Sequence, residues 1–358
     1  MAIAEKVIEK RLRGERLNLE DGILLFEADL MLLGAAAKEI RKRQFPEDQV
    51  TFVIDRNIYY TNVCVADCSF CAFYRRTGHD ESYTLSREEI FKKIQALADI
   101  GGTQVLIQGG LNPELRLDYY LELIRGIHEA FPQMHIHSFS PPEIDIVAKL
   151  ERMTYHQVLG KMKEAGLNSL PGGGAEMLID RVRNIISPKK ISADNWLKVC
   201  RAAHEVGLKT TASMVFGHVE TIEERIIHLL KLRDLQDETG GIRAFIPWSM
   251  STKGTPGLEY LPLASGEDYL RTLAVSRLML DNIPSIQSGW VTEGHKLAQV
   301  ALEFGANDMG GTLMEELVIE PTGVKYRTTE HDLIRLIHRA GYRAAQRNTN
   351  YEIIRQIS

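Results

Sequence analysis

The sequence predicts an α/β protein: a (β/α)8 barrel of the TIM type, preceded by a helical extension and followed by a shorter one. Three observations lead there. Strand-like and helix-like segments alternate between residues 50 and 311, the pattern of βαβ units in a parallel sheet. Eight strand-like segments can be counted in that stretch. The 358 residues also suit one large barrel with extensions. Alternation by itself admits an open sheet of about six strands as well.

Residues 1–48 read as helices, with AEKVIEKRLRG and FEADLMLLGAAAKEIRKR carrying helical periodicity, and Pro46 and Asp48 marking the end. The barrel is expected over residues 49–311. Its first strand is VTFVIDRNIYY (50–60). A helix over 86–101 follows, with Ser86 and Glu89 spaced as a capping box. The strand TQVLIQGG (103–110) ends in glycines. A helix (118–131), the strand MHIHSFS (134–140), a helix (154–166) and a short strand with its loop, LNSLPGGG (167–174), come next. Then follow a helix (193–207), a strand (208–217), a helix (220–238) and the strand IRAFIPW (242–248). Helix 266–281, strand SIQSGW (285–290), helix 293–304 and ANDMGG (306–311) complete the series. Residues 312–358 are expected to pack on the barrel, with HDLIRLIHRAGYRAAQ as a helix.

Composition narrows the function. Hydrophobic residues make up 44% and charged residues 25%, which supports a packed core and argues against disorder. A net charge of −5 gives no reason to expect a nucleic acid or a membrane surface as partner. The first 22 residues carry charges throughout and do not read as a secretory leader. No apolar run is long enough to span a bilayer. Three of the four cysteines lie within eight residues, which fits a metal or redox role in a reducing, cytoplasmic setting better than disulfides.

The chemistry is carried by Cys64-x3-Cys68-x2-Cys71, placed directly after the first strand. In a parallel barrel the loops that follow strands build the active-site face. Three thiolates would leave one iron of a [4Fe–4S] cubane without a protein ligand. A closed zinc site needs a fourth ligand, and neither His79 nor the distant Cys200 is well placed to supply it. Three ordinary buried cysteines are the other bland alternative. The Gln108-Gly109-Gly110 turn ends the second strand, where glycine lets a backbone come close to a ligand.

This motif, with an aromatic before its last cysteine, resembles that of the radical S-adenosylmethionine superfamily. The resemblance implies that Cys64, Cys68 and Cys71 hold a [4Fe–4S] cluster, and that the cluster cleaves S-adenosylmethionine after reduction by a low-potential donor such as flavodoxin or ferredoxin. It places Phe70 beside the adenine ring, and Gly109 and Gly110 at the amino group of the methionine portion. Leu111 follows the glycine pair where the superfamily often has a glutamate.

Within the superfamily, residues 50–256 resemble the dehypoxanthine futalosine cyclases of the futalosine route to menaquinone. The carrying segments are RNIYYTNVCVADCSFCAFYRR, GGTQVLIQGGLNP, HIHSFSPPEI, PGGGAEML, FGHVET and FIPW. Aminofutalosine synthase and the tyrosine-using subunit of FO synthase are sister families with the same cysteine motif. A non-catalytic iron–sulfur protein is the competitor from another class, though a ferredoxin-like carrier would want four cysteines per cluster. The implied reaction is cyclisation of dehypoxanthine futalosine: the 5′-deoxyadenosyl radical takes a hydrogen from the ribose portion, the carbon radical adds to the aromatic ring, and loss of an electron and of a proton to a base restores aromaticity.

Strand-end polar residues are the candidates for the remaining roles. Glu176, after the glycine run 172–174, is expected to bind the cofactor. Asp308 or His218 is expected to serve as the base at the barrel mouth, with Glu143 and Glu220 in reserve. His137 and Ser140 follow the third strand, and Arg75 and Arg76 flank the cysteine loop.

Overall fold

The computed structural model describes residues 3–323 and 326–357. Helices α1 (Ile3–Leu12), α2 (Leu19–Leu25) and α3 (Leu30–Gln44) come first, with Asn18 and Asp29 as side-chain caps of α2 and α3. The extended run that follows is β1 (Gln49–Val53) and β2 (Asp55–Tyr59), separated only by Ile54. Then come α4 (Arg87–Ala98), β3 (Gln104–Gln108), α5 (Leu117–Ala130), β4 (His135–Ser138), α6 (Pro141–Glu151), α7 (Tyr155–Ala165) and β5 (Ser169–Leu170). They are followed by α8 (Asp180–Ile186), α9 (Ala193–Glu205), β6 (Lys209–Phe216), α10 (Ile222–Thr239), β7 (Ile242–Ser249), α11 (Gly266–Met279) and β8 (Ser285–Ile286). The chain ends with α12 (Trp290–Ala301), β9 (Asp308–Gly311), α13 (Glu330–Arg339), β10 (Arg343–Arg347) and β11 (Ile353–Ile357).

Strands β2 to β8 form one parallel sheet in chain order. The sheet curls back on itself through β9. Asp308 bridges Gln287 beyond β8 on one side, and β9 pairs with β1 on the other. Further along, the Asn57 N–H donates to the Leu313 carbonyl at 2.8 Å. Alternation along each strand separates the two faces. On β3, Val105 and Ile107 are fully buried against the helices, while Gln104, Leu106 and Gln108 line the lumen.

Helices α1–α3 pack outside the barrel against α10 and α11. Arg11 Nε donates to the Leu278 carbonyl at 2.9 Å, and Arg233 Nη1 donates to the Leu17 carbonyl at 2.8 Å. The residues after 312 do more than lie on the surface. β10 pairs in parallel with β1, and β11 pairs antiparallel with β10. The expected helix therefore stops early. Gly341 takes φ +86°, and YRAAQ, expected to be helical, enters the sheet, with Ala344 and Ala345 fully buried beside β1. An open strand edge with unpaired N–H and C=O groups outweighs helix propensity there. SPPEI begins α6. Pro141 and Pro142 occupy its first turn, where a missing N–H costs nothing.

Candidate active site

The loop between β2 and α4 carries the cysteines over the C-terminal end of the barrel. It is held by backbone bonds from Cys64 N to Arg75 O (2.9 Å), Val65 N to Leu111 O (3.1 Å) and Ser69 N to Ile186 O (2.9 Å). Arg75 pairs with Glu81, and Arg76 with Asp67, at the outer rim. All three thiols are free and line one cavity of about 350 Å³. Burial pushes the Cys68 thiol up to about 12 and the Cys71 thiol in the same direction, so these groups yield thiolate only to a strong local positive charge. Cys200 lies fully buried on α9, away from this cavity.

Gly110 shows how tightly the second loop sits beneath the first. A Cβ there would overlap the Val63 carbonyl and crowd Cys64, and one at Gly109 would strike the Tyr60 ring. Glu143 braces this contact from below. Its Oε1 accepts from Tyr60 Oη (2.9 Å) and the Gly109 N–H (3.2 Å), and its Oε2 accepts from the Ser140 N–H (2.8 Å) and Oγ (2.6 Å). Burial nevertheless raises its carboxyl to about 7.

Across the cavity, Phe70, Glu176 and Lys190 meet. Glu176 Oε1 accepts from Lys190 Nζ at 2.6 Å, and that ammonium lies 5.5 Å from the centre of the Phe70 ring. Burial would raise the Glu176 carboxyl, but Lys190 overrides it and holds the group below its ordinary value. Glu176 itself takes φ +41°, an uncommon backbone for a residue other than glycine.

The wall facing Glu176 is built by β2 and the chain after β9. Asn57 Nδ2 donates to Tyr59 Oη at 2.6 Å, and that hydroxyl donates to Glu316 Oε1 at 2.8 Å. The same oxygen accepts from the N–H groups of Val318 (3.0 Å) and Ile319 (3.2 Å). Burial raises the Glu316 carboxyl. Asn57, Tyr59, Glu316, Val318, Ile319 and Thr322 all line the cavity.

The two expected bases are elsewhere. Asp308 is the first residue of β9, hence at the opposite end of the barrel from the cysteines. It is fully buried and pairs with Arg347 (Nε to Oδ2 2.5 Å, Nη2 to Oδ1 2.9 Å). Its expected place at the mouth is thus corrected: the strand begins at Asp308 and does not end there. The His218 side chain is fully buried and has both nitrogens engaged. Nε2 bonds the Val215 carbonyl (2.9 Å) and Nδ1 accepts the Val219 N–H (2.8 Å). It braces the loop after β6 together with Glu220, whose carboxylate receives the N–H groups of Gly217 and His218 and the guanidinium of Arg225. Neither His218 nor Glu220 lines the cavity. His137 lies lower in the lumen, hydrogen-bonded to Ser169 Oγ at 2.7 Å, in a second space of about 170 Å³.

Sequence reasoning missed Lys190, Asn57, Tyr59, Glu316 and Trp248 as cavity residues. Asn57 and Tyr59 were legible as alternate positions of a barrel strand, which must share one face. Glu316 belongs to a long loop whose course no local pattern fixes.

The donor set suits a cubane. Among the described residues, no three His, Cys, Asp or Glu side chains converge on a single metal ion. Three thiols instead face one cavity, as a cluster with one thiolate on each of three irons requires. Residues 58–232 match the radical SAM superfamily, and residues 239–358 match the CofH/MqnC C-terminal region. The chain is 45% identical to cyclic dehypoxanthine futalosine synthase of Halalkalibacterium halodurans, over 98% of this chain and 94% of that one. It is 39% identical to aminodeoxyfutalosine synthase of Thermus thermophilus (99% and 95% covered). Against a 5-amino-6-(D-ribitylamino)uracil–L-tyrosine 4-hydroxyphenyl transferase of Methanosarcina barkeri the figure is 40% (99% and 95%). Among solved structures, methylornithine synthase superposes with a TM-score of 0.72 at 21% identity, covering 94% of this chain and 96% of that one.

Fold, thiol motif and matched segments together define a radical enzyme that uses a [4Fe–4S] cluster and S-adenosylmethionine. The chain belongs to the radical SAM superfamily, in the group that shares the CofH/MqnC C-terminal region and acts on small molecules. Among the described residues, no helix is long and apolar enough to cross a membrane.

Proposed function

We propose that this chain cyclises dehypoxanthine futalosine to cyclic dehypoxanthine futalosine. The observation that carries this reading is the 45% identity, sustained over 98% of the chain, to a protein bearing that activity in its name. The cluster and S-adenosylmethionine, when bound, supply the one-electron chemistry that removes a hydrogen atom from the substrate.

The chain's own residues do the rest. Cys64, Cys68 and Cys71 hold the cluster. Phe70 offers its ring to the adenine, and Gly109 and Gly110 bring backbone groups to the methionine portion, braced by Glu143. Glu176, pinned by Lys190, presents its second oxygen to the cofactor. The cavity walls exclude water from the reacting carbon and hold the aromatic ring near it. Tyr59, Phe73, Trp248 and Leu313 give that wall its apolar surface. A low-potential donor such as flavodoxin or ferredoxin would reduce the cluster from the exposed side of the cysteine loop.

The sister activities are the competing reading, since those relatives cover the chain as fully. One anaerobic experiment separates the cyclase from the transferase. The reconstituted, reduced enzyme with S-adenosylmethionine is given dehypoxanthine futalosine, or tyrosine with 5-amino-6-(D-ribitylamino)uracil. Cyclised product with 5′-deoxyadenosine in the first reaction only is expected. A coupled product in the second, with none in the first, would reassign the chain to the transferases.

A further inference from the structure

Below the thiol cavity the lumen holds the second space of about 170 Å³. The two spaces share Leu106, Gln108, Gly173, Ser213, Trp248 and Leu313 as wall residues, so the lower one continues the upper one downward. Gln108, Gln287 and His137 line it, and neither amide side chain nor His137 Nε2 is hydrogen-bonded by any described residue. His137 is 5% exposed, yet its Nε2 is not sealed off and keeps open surface on the lumen. Asp55, His137, Arg347 and Tyr351 are the titratable side chains that line the space. Arg347 is a cation held by Asp308, and burial raises the Tyr351 phenol. Asp55 accepts from Gln104 Nε2 at 3.0 Å and from the Leu313 N–H at 2.8 Å. That leaves the imidazole of His137 as the group with an unengaged nitrogen.

Strand register fixes the other nitrogen. His137 of β4 stands opposite Ser169 of β5, and Ser169 Oγ lies 2.7 Å from His137 Nδ1 and 2.8 Å from His135 Nε2. The hydroxyl has one proton, so it donates to one ring and accepts from the other. Donation to His135 puts the proton of His137 on Nδ1 and leaves a bare Nε2 in the lumen. Burial, with the charges of Arg243 and Arg347 nearby, keeps the ring neutral and that lone pair available.

We propose that His137 is the base that takes the ring proton during cyclisation, with Ser169 and His135 as positioning residues that hold its tautomer. The assignment rests on the cyclase reading. The lower space, walled by Trp248, Trp290 and Leu106, takes the aromatic ring. After ring closure the adduct radical passes one electron to a one-electron acceptor of the iron–sulfur class and becomes an arenium cation. The C–H bond at the new junction then breaks. Its electron pair restores the aromatic ring, and its proton goes to His137 Nε2. Such a cation is a strong acid, so a neutral, weakly basic imidazole suffices.

The test is anaerobic turnover of the reconstituted, reduced holoenzyme with S-adenosylmethionine and dehypoxanthine futalosine, unlabelled or deuterated on the aromatic ring, in separate reactions. Proton loss follows cofactor cleavage. His137→Gln should therefore still form 5′-deoxyadenosine, while cyclised product per 5′-deoxyadenosine falls by about 10²–10⁴-fold. The ring-deuterium isotope effect on the rate of product formation should rise above the wild-type value, because breaking the C–H bond becomes the slow step. Ser169→Ala and His135→Gln should move both readouts the same way by less. Nitrogen NMR of the apoprotein labelled with ¹⁵N-histidine, assigned with the two histidine variants, should find the His137 proton on Nδ1. Should His137→Gln fail to fold, Ser169→Ala and the tautomer decide. A wild-type ratio and isotope effect in His137→Gln overturns the proposal. So does joint loss of 5′-deoxyadenosine and product with no change in isotope effect, which is the mark of a structural role. A His137 proton on Nε2, or the expected signature in Asp55→Asn in place of His137→Gln, overturns it as well. All of these outcomes require cyclised product from wild type; 5′-deoxyadenosine without that product would sink the cyclase reading itself, and the base with it.

Discussion

The two ends of this barrel are built from the same strands and treat polar groups in opposite ways. At the floor, Arg347 reaches in from β10 and binds Asp308 through two nitrogens, and Thr51 Oγ1 adds a 2.5 Å bond to the same carboxylate. These charges are committed to each other. At the mouth, three thiols have no disulfide partner, Asn57 Oδ1 has no hydrogen bond, and Glu176 and Glu316 each have one oxygen fastened at the cavity wall. The Asp308–Arg347 pair is complete within the protein; the three thiols are complete only with a ligand. Substitutions at the two ends should therefore fail in different assays.

The largest expected effect is at the mouth. Cys64→Ala, Cys68→Ala and Cys71→Ala should each abolish turnover and lower bound iron, measured by iron content and visible absorption after anaerobic reconstitution. Thermal unfolding of the apoproteins should change little, because the thiols make only weak backbone contacts in the protein, such as the Ala66 N–H on Cys64 Sγ at 3.4 Å. A large loss of apoprotein stability in all three would mean that the cysteines are core residues first. The contrast with the floor comes next in size. Arg347→Met strands a fully buried carboxylate and should cost about 3–5 kcal/mol in denaturant unfolding. The double variant Arg347→Met/Asp308→Leu should recover much of that loss, and both should still bind S-adenosylmethionine once reconstituted. If Asp308→Asn kept the fold and the cofactor yet stopped cyclisation alone, the floor would have a chemical role after all.

A smaller effect is expected at the cofactor wall. Glu176→Gln should weaken S-adenosylmethionine binding by about tenfold or more, the value of a charge-assisted bond. Lys190→Met would free the carboxylate and move the same constant by less. An unchanged dissociation constant in Glu176→Gln would remove that residue from the cofactor's site.

How much of this was legible follows from where each residue sits on its strand. The barrel was, because periodicity two and periodicity 3.6 alternate plainly. The cysteine loop was, because the strand before it ends at Tyr59 and the spacing does not depend on tertiary structure. Asp308 was not. ANDMGG reads as a strand whose direction of entry is invisible, and the deciding partner, Arg347, lies 39 residues later in a segment with helical composition. His218 was misread for a related reason. A polar residue after a strand can turn into the lumen or fold back on its own loop, and the bond from Nε2 to Val215 O chose the second. Glu143 looked like a free carboxylate after two prolines, yet it caps the helix those prolines begin.

The smallest effect is a difference in the sign of pH dependence between the ends. Burial keeps His135, low on β4, neutral, with its pKa lowered to about 3, and pushes that of His137 well below the ordinary value. The unfolded chain takes up protons on these rings near pH 6.5 and the folded chain does not. Their contribution to stability is therefore present above pH 6.5 and lost as pH falls toward 3. Glu143 runs the other way. Its folded value of about 7 lies above the ordinary carboxylate range, so the fold holds a proton that the unfolded chain has lost. That contribution is present below about pH 4.5 and disappears as pH rises through 7. Each should amount to about 1 kcal/mol within the accessible range, His135 by pH 5.5 and Glu143 between pH 6 and 8. Urea unfolding of wild type, His135→Gln and Glu143→Gln across pH 5.5–8 separates them. Whatever fixed cost each variant carries, His135→Gln should flatten the acid limb and Glu143→Gln the alkaline limb. If Glu143→Gln ran parallel to wild type from pH 6 to 8, Glu143 would already be ionised in the fold, and the four donors around it would have outweighed its burial.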